Sequence, residues 1–404
     1  MDILKKETKS ICPECYQEIS AQIYEHDGSV FMNKECSRHG KFNILIEKDA
    51  FLYRKLMSKF DAGNKTAFES IMIPVTYSCN LDCSICYFAN KKMQDLSLNE
   101  LKMIISDFKG DAVWLSGGEP TLRKDLPEII QFISRQGKRP VLLTNGIALS
   151  DRKYLKKLKR SGLKLILFSF NGFDDSAYKI IHGHKLKTLK LAALKNIMKE
   201  RIKTTLSFML VKGVNEQELR RIYNFYINNH RFFTMLKIRT AVFIGKYMDG
   251  MEQVYLSDIV EMLSKIIGLK KNELIEHCLS FSEGSNRPCQ FNIPLSSLLF
   301  KGLDMDKIKN SFLQKIRNSF TLMSRIGFKN FLYMLRWEPG SDSYFLTPKP
   351  NDKGLFLSMF IALRQWPDKY RIDLNDASMC RSGYFIRDKN QAVPFCYGAI
   401  IDNK

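Results

Sequence analysis

No run of about eighteen apolar residues, the length a membrane-crossing helix needs, occurs in the 404 residues of this chain. The longest apolar run, Leu355 to Leu363, is interrupted by Ser358 and is too short to span. The first residues, Met1 to Ser10, are polar and charged and predict no secretory signal. With no sign of export, the ten cysteines read as reduced, metal-binding thiols rather than disulfides, and the expected location is cytoplasmic. Acidic residues are scarce. Lys plus Arg number 63 against 42 Asp plus Glu, a formal net charge of +21 and a pI near 9.4. That imbalance calls for an anionic partner: nucleic acid, a membrane surface or an acidic substrate. Aromatic stacking motifs and known nucleic-acid modules are absent, so nucleic acid is not expected. Hydrophobic residues at 45% and aromatics at 12% supply a sizeable core, and the length suits two or three domains.

What is present begins with Cys79-x3-Cys83-x2-Cys86, at the end of the apolar run Ile71-Met72-Ile73-Pro74-Val75-Thr76. Three thiolates on one short loop can hold three irons of a [4Fe–4S] cube and leave the fourth open to an exogenous molecule. Zinc sites built from four cysteines favour paired C-x2-C knuckles, which this spacing does not match. Cys79-Asn80-Leu81-Asp82-Cys83-Ser84-Ile85-Cys86-Tyr87 resembles the CxxxCxΦC loop of the radical S-adenosylmethionine (SAM) superfamily, with Ile85 as Φ. The resemblance implies that the open iron chelates the methionine part of SAM. It also implies that SAM is cleaved to a 5′-deoxyadenosyl radical, which abstracts hydrogen from unactivated carbon.

Downstream residues follow the same pattern. Ala112 to Ser116 reads as a buried strand running into Gly117-Gly118-Glu119-Pro120. Two glycines let backbone approach a ligand closely, and the turn resembles the family's GGEP motif, which binds the methionine ammonium. Tyr87 closes the cysteine motif. By the same resemblance Ser169 and Asn171 face the ribose or carboxylate of SAM, and Val214 touches adenine. Asn145 is either a SAM contact or a turn-forming Asn-Gly. Arg239 is either a SAM carboxylate partner or a solvated charge at a strand end.

Between the strands, apolar residues recur at helical spacing. Ser97-Leu98-Asn99-Glu100 fits a capping box ahead of Leu101, Ile104, Ile105 and Phe108. Alternating strands and helices imply a parallel sheet with right-handed crossovers. The expected fold is α/β, a radical SAM partial (β/α)6 barrel over residues 67–250. It is flanked by a metal ribbon over 1–66 and a C-terminal auxiliary-cluster region over 251–404. Sites at the carboxyl ends of parallel strands suit ligand binding.

The ribbon rests on Cys12-Pro13-Glu14-Cys15 and Cys36-Ser37-Arg38-His39. A C-x2-C knuckle followed by C-x2-H fits a zinc-ribbon or rubredoxin-like site, with zinc or iron left open by ligand type. His26-Asp27-Gly28-Ser29 signals a hairpin. The C-terminal third adds Cys278, Cys289, Cys380 and Cys396. These thiols are read as ligands of an auxiliary [4Fe–4S] cluster; as buried thiols they would be small hydrophobes. From Lys307 to Trp337 there are seven basic residues and no acidic one. Apolar residues recur there at helical spacing, the composition of an interfacial membrane segment or of a core helix with a basic face.

Ribbon, radical SAM motifs and the late Val393-Pro394-Phe395-Cys396 together resemble archaeal tetraether lipid synthases and the class D radical SAM methylases that act on pterin. That resemblance implies hydrogen abstraction from an unactivated carbon, expected on an anionic lipid chain, and C–C bond formation. It further implies a reductase such as ferredoxin or flavodoxin and a peripheral place at the inner face of a membrane. The alternatives are radical modification of a pterin-like small molecule, peptide maturation, or a metal-stabilised binding protein without catalysis.

Overall fold

The structure, a computed structural model, describes residues 2–58, 67–88, 93–281, 289–294 and 360–402. The basic segment at 307–337, on which the membrane expectation rests, lies outside the described residues. Among those described, no helix is long and apolar enough to cross a membrane.

The ribbon is a four-stranded antiparallel sheet of β1 (Asp2–Ile11), β2 (Glu18–His26), β3 (Ser29–Cys36) and β4 (Gly40–Glu47) in sequential order. The hairpin joining β2 and β3 turns at Asp27 and Gly28, with φ of +49° and +72°. Two consecutive left-handed residues suit the twist of an antiparallel pair. Strand β3 alternates, burying Val30, Met32, Lys34 and Cys36, as the period of two requires. Lys34 is the polar exception; its ammonium donates to Ser10 Oγ (3.0 Å) and the Ile11 carbonyl (2.8 Å). Helix α1 (Ala50–Ser58) packs Ala50 and Tyr53 against the sheet and turns Leu52 and Leu56 into the main core.

The barrel follows. Its strands are β5 (Ser70–Thr76), β6 (Ala112–Gly117), β7 (Arg139–Thr144), β8 (Leu165–Ser169), β9 (Lys203–Leu210) and β10 (Phe233–Thr240). They lie side by side in chain order, all parallel. The intervening helices are α2 (Leu98–Asp107), α3 (Leu126–Arg135), α4 (Arg152–Arg160), α5 (Asp175–His182), α6 (Lys187–Glu200) and α7 (Glu218–Asn229). The capping box ahead of α2 forms, with Ser97 and Glu100 each bonding the other's backbone. Strands such as β8, with Leu165, Ile166, Leu167 and Phe168 all buried, are apolar on both faces because helices cover one and the barrel interior the other.

The described part of the C-terminal region adds strands to the same sheet. After α8 (Leu256–Ile267) and α9 (Lys271–Phe281), strands β11 (Gln290–Pro294) and β12 (Phe360–Arg364) extend one end of the sheet. Helix α10 (Leu374–Ser378) leads to β13 (Ser382–Ile386), β14 (Gln391–Pro394) and α11 (Phe395–Ile401), which extend the other end. β12 runs parallel beside β10, and β13 parallel beside β5. The sheet is ten-stranded with β11 and β14 as antiparallel edges, so the C-terminal strands widen the six-stranded barrel on both sides.

The ribbon is docked on this assembly. Lys5 bridges Asp373 (2.9 Å) and Asp376 (2.6 Å) near α10, and Thr8 donates to Asp373 (2.8 Å). Ile11 packs with Val242, Ile244, Ile372 and Ile400.

Candidate functional site

The loop carrying Cys79, Cys83 and Cys86 leaves the carboxyl end of β5, and the chain clamps it from three directions. Asp95 accepts from Thr76 Oγ1 (2.7 Å) and Tyr77 N–H (2.8 Å) at its root. Ser84 N–H donates to the Ile181 carbonyl at the end of α5 (2.9 Å). Beyond β10, Lys246 N–H donates to the Cys86 carbonyl (2.9 Å). Gly245, at φ +66°, approaches Cys86 so closely that a Cβ there would meet that carbonyl at 2.4 Å. All three thiols are half-buried and none is in a disulfide.

Gly117 and Gly118 do approach something closely, but it is backbone of this same loop root. A Cβ on Gly117 would meet the Thr76 carbonyl at 2.1 Å, and one on Gly118 the Ser78 carbonyl at 2.2 Å. Gly118 N–H donates to Thr76 (2.8 Å) and Glu119 N–H to Ser78 (2.8 Å). Glu119 is 1% exposed. Its Oε1 accepts from Thr121 N–H (3.1 Å), Thr121 Oγ1 (2.6 Å) and Thr144 Oγ1 (2.6 Å), and its Oε2 from Asn145 N–H (2.7 Å). The carboxylate thereby joins the turn after β6 to the end of β7, with Pro120 buried as the first residue of the short helical turn.

Asn145 performs the turn role. Its Oδ1 accepts from Ile147 N–H (3.0 Å), while its Nδ2 donates to Asn80 Oδ1 (2.8 Å) in the cysteine loop. Ser169 ends β8 half-buried, and its carbonyl accepts from Lys190 (2.8 Å). Val214 is partly buried beside Ile181, Val211 and Ala241. Asn171 turns inward, 2% exposed. Its Oδ1 accepts from Met209 N–H (3.0 Å) and its Nδ2 lies 3.0 Å from His182 Nε2, so its amide is committed to the fold. Tyr87 rests edge-on to Trp366, and its hydroxyl meets Ser116 Oγ at 3.2 Å.

Two residues had no signal in the sequence. His182 places Nδ1 2.9 Å from Cys83 Sγ. Burial, then the charges of Lys190 and His184, push its pKa down to about 3, so the ring is neutral near pH 7. Lys190 is fully buried and donates to the Asn145 (2.5 Å) and Ser169 (2.8 Å) carbonyls. Burial lowers its pKa to about 8, against the attraction of Glu119 and Cys83.

Arg239 is no solvated strand-end charge: its guanidinium lies over the Trp366 ring at 5.3 Å, and its Nε is buried without a hydrogen-bond partner. Cys289, Cys380 and Cys396 line one cavity of about 160 Å³ beside the barrel interior. Cys278 does not join them. It is fully buried in the main apolar core, and burial pushes its thiol well above the usual range.

In the ribbon, Cys12, Cys15, Cys36 and His39 bring four ligand atoms within 4.8 Å of one another. Cys12 Sγ and Cys36 Sγ each lie 3.5 Å from His39 Nδ1, and Cys15 Sγ lies 3.9 Å from Cys36 Sγ. A tetrahedral zinc with Zn–S near 2.3 Å sets its sulfurs roughly 3.8 Å apart, so the donor set fits one such ion. The Arg38 backbone N–H and then His39 pull the Cys36 thiol down to about 6, towards the thiolate that a metal requires. The ribbon's own core is small, six buried residues, so the metal is expected to hold it folded. Chelation, or Cys12→Ala with Cys36→Ala, should open residues 2–47 to limited proteolysis and remove one metal equivalent. Unchanged protease resistance would leave the metal without a structural task.

Comparison with known proteins places these features. Residues 73–226 match the family described as the radical SAM superfamily, and residues 4–48 match the HMPTM N-terminal zinc ribbon domain. The chain is similar to a 7,8-dihydro-6-hydroxymethylpterin dimethyltransferase of Methanocaldococcus jannaschii, 32% identical over 60% of this chain and 54% of that protein. It is also similar to an Fe-coproporphyrin III synthase of Methanosarcina barkeri, 35% identical over 42% of this chain and 43% of that protein. A third relative is a probable GTP 3′,8-cyclase of Metallosphaera sedula, 32% identical over 39% of this chain and 51% of that protein. The chain thus spans about half the length of these curated relatives. Among solved structures, Streptococcus suis SuiB bound to S-adenosylmethionine matches with a TM-score of 0.42 and 18% identity, over 53% of this chain and 50% of that one. Methylornithine synthase matches with a TM-score of 0.41 and 16% identity, over 58% of this chain and 76% of that one. The match to the radical SAM superfamily runs from within β5 to within α7 and so takes in the cysteine loop, the glycine turn and β5 to β9.

Proposed function

We propose that this chain is a radical SAM enzyme that forms a carbon–carbon bond at an unactivated carbon of an anionic substrate. The observation that carries the reading is the clamped loop at the carboxyl end of β5, which presents three reduced thiols beside the Glu119 turn. Cys79, Cys83 and Cys86 would hold a [4Fe–4S] cluster through three of its irons. When bound, that cluster supplies the electron for reductive cleavage of SAM to a 5′-deoxyadenosyl radical, with ferredoxin or flavodoxin as its reductant. Glu119 would accept from the SAM ammonium, and Ser169 and Val214 stand along the same strand ends. Cys289, Cys380 and Cys396 would hold an auxiliary cluster at the shared cavity. Anaerobic incubation with SAM and dithionite should yield 5′-deoxyadenosine; its absence from cluster-loaded protein would overturn the reading.

For the substrate, the relative named as a pterin dimethyltransferase favours methylation of a pterin-like heterocycle. The lipid reading rests on the resemblance to tetraether lipid synthases and on the net basic charge, and its membrane surface on the basic segment at 307–337. Mass spectrometry of lipids and of dihydropterins from cells with and without the protein separates the two.

His182 has a defined part in this site. Met209 N–H donates to Asn171 Oδ1, which fixes the amide with Nδ2 facing His182 Nε2. An amide nitrogen only donates, so Nε2 accepts and Nδ1 carries the proton towards Cys83 Sγ. Hydrogen bonds to the sulfurs of a cluster raise its reduction potential. About 1.4 kcal/mol of preference for the reduced state is worth about 59 mV for one electron. His182→Phe is therefore expected to make the midpoint potential more negative by tens of millivolts, read by EPR during a redox titration. An unmoved midpoint would leave His182 as packing only.

A further inference from the structure

The cavity beside β10 and β12 holds cations that no acid answers among the described residues. Lys237 and Arg239 stand two residues apart on β10, and Arg364 of β12 is level with Arg239 in the parallel register. Alternate residues of a strand share a face, so the three gather on one side of the sheet. Lys237 is 9% exposed, and its ammonium sits 5.5 Å from the centre of the Trp114 ring. The Nε atoms of Arg239 and Arg364 are buried without hydrogen-bond partners. Burial, then the charges of Arg364 and Arg239, drive the Lys237 pKa far below its ordinary value, and no acid counters them.

Acids do line the far side of the same cavity, but each is already engaged. Asp373 and Asp376 bind Lys5. Glu47 accepts from Ser257 and from the backbone of Lys48 and Asp49, and Arg371 pairs with Asp368. A buried unpaired charge is costly, and three of one sign also repel one another. A fold that keeps them is matched to a bound anion.

We propose that this cavity is an anion site, taking a phosphate or carboxylate group of the substrate against Lys237 and Arg364, with Trp114 and Trp366 flanking the group that carries it. The anion site stands on its own geometry; only the word substrate rests on the radical SAM reading.

The test uses the full chain with its metals loaded. Phenyl phosphate is the probe, benzyl alcohol its neutral counterpart, and dihexanoyl phosphatidic acid below its micelle concentration the lipid arm. Trp114 and Trp366, two of the chain's three tryptophans, both line the cavity, so quenching of their fluorescence reports occupancy beside a shift in Tm. Phenyl phosphate should quench and should raise Tm with concentration, and benzyl alcohol should do neither. Lys237→Met and Arg364→Gln should each weaken phenyl phosphate at least tenfold. Arg364→Gln should also raise the Tm of the ligand-free protein, because it removes an unanswered charge. Binding of the phosphatidic acid alone would assign the anion to a lipid headgroup; binding of both would assign it to phosphate in general.

Failure of wild type to bind either phosphate would overturn the proposal. So would binding that both variants retain. Iron lost from Lys237→Met, without phosphate binding by wild type, would overturn it too and assign the cations to a cluster on Cys289, Cys380 and Cys396. If both variants fold poorly, the cations are structural and the proposal falls. 5′-Deoxyadenosine formed without phosphate binding removes this site and leaves the radical SAM reading. Phosphate binding without 5′-deoxyadenosine does the reverse.

Discussion

Replacing Cys79, Cys83 and Cys86 together with alanine is expected to abolish 5′-deoxyadenosine formation from SAM, to the background of protein-free controls. Alanine offers no metal ligand, and the three thiols sit on a single loop whose backbone is held by Asp95, Ile181 and Lys246 as well as by sulfur contacts to Leu81 N–H, His182 and the Phe88 carbonyl. The loop should therefore keep its path, and the ribbon should keep its metal, because Cys12, Cys15, Cys36 and His39 lie in a separate sheet. The measurement pairs product analysis with metal content by mass spectrometry. Product retained by the triple variant would sink the assignment. Loss of the ribbon metal as well would mean that the variant had unfolded, and single Cys→Ser variants would then take its place.

The barrel was legible because its signals are local. Each strand from β5 to β10 is a short apolar run, and the helices between them repeat at their own period; Ser97 and Glu100 even announce the start of α2. The four-ligand ribbon was legible for the same reason, since its knuckles are close in sequence and its hairpin turns at Asp27-Gly28. The C-terminal strands were not. β13 meets β5 through only three paired positions, Ser382 to Tyr384, and β12 finds β10 across a long excursion of chain. Which edge such a strand joins is decided by tertiary packing, and no periodicity records it.

The site divides similarly. Motif spacing located the thiols and the Gly-Gly-Glu-Pro turn. It read the glycines as room for a ligand, when their missing Cβ atoms make room for the carbonyls of Thr76 and Ser78. Close approach was legible, but its partner was not. His182 stands 99 residues from Cys83 in sequence, and a lone histidine near a helix end carries no mark of such a neighbour. Lys190 sits in a helix rich in lysine and looks like any solvated charge until the fold buries it. The surroundings of Arg239 were not legible either, because strand ends are usually wet and this one faces Trp366.

Glu119→Gln is expected to lower both SAM affinity and stability, and the two losses have different causes. The carboxylate accepts from two backbone donors on opposite oxygens, Thr121 N–H on Oε1 and Asn145 N–H on Oε2. The Thr121 and Thr144 hydroxyls can rotate to suit an amide, but the backbone donors cannot. Whichever way the glutamine turns, its NH2 confronts one of them, and a buried N–H is left unsatisfied at about 1–3 kcal/mol. Separately, the variant loses the charge that would meet the SAM ammonium. A hydrogen bond to a charged group contributes about 1.5–3 kcal/mol, so the Kd for SAM should rise roughly tenfold to a hundredfold. Calorimetric titration of SAM into cluster-loaded protein, beside a urea melt of the same preparation, reads the two effects independently. Reduced stability with unchanged SAM affinity would make Glu119 a clamp between β6 and β7 and nothing more. Weakened SAM binding at unchanged stability would mean that its four donors are not held as the structure places them.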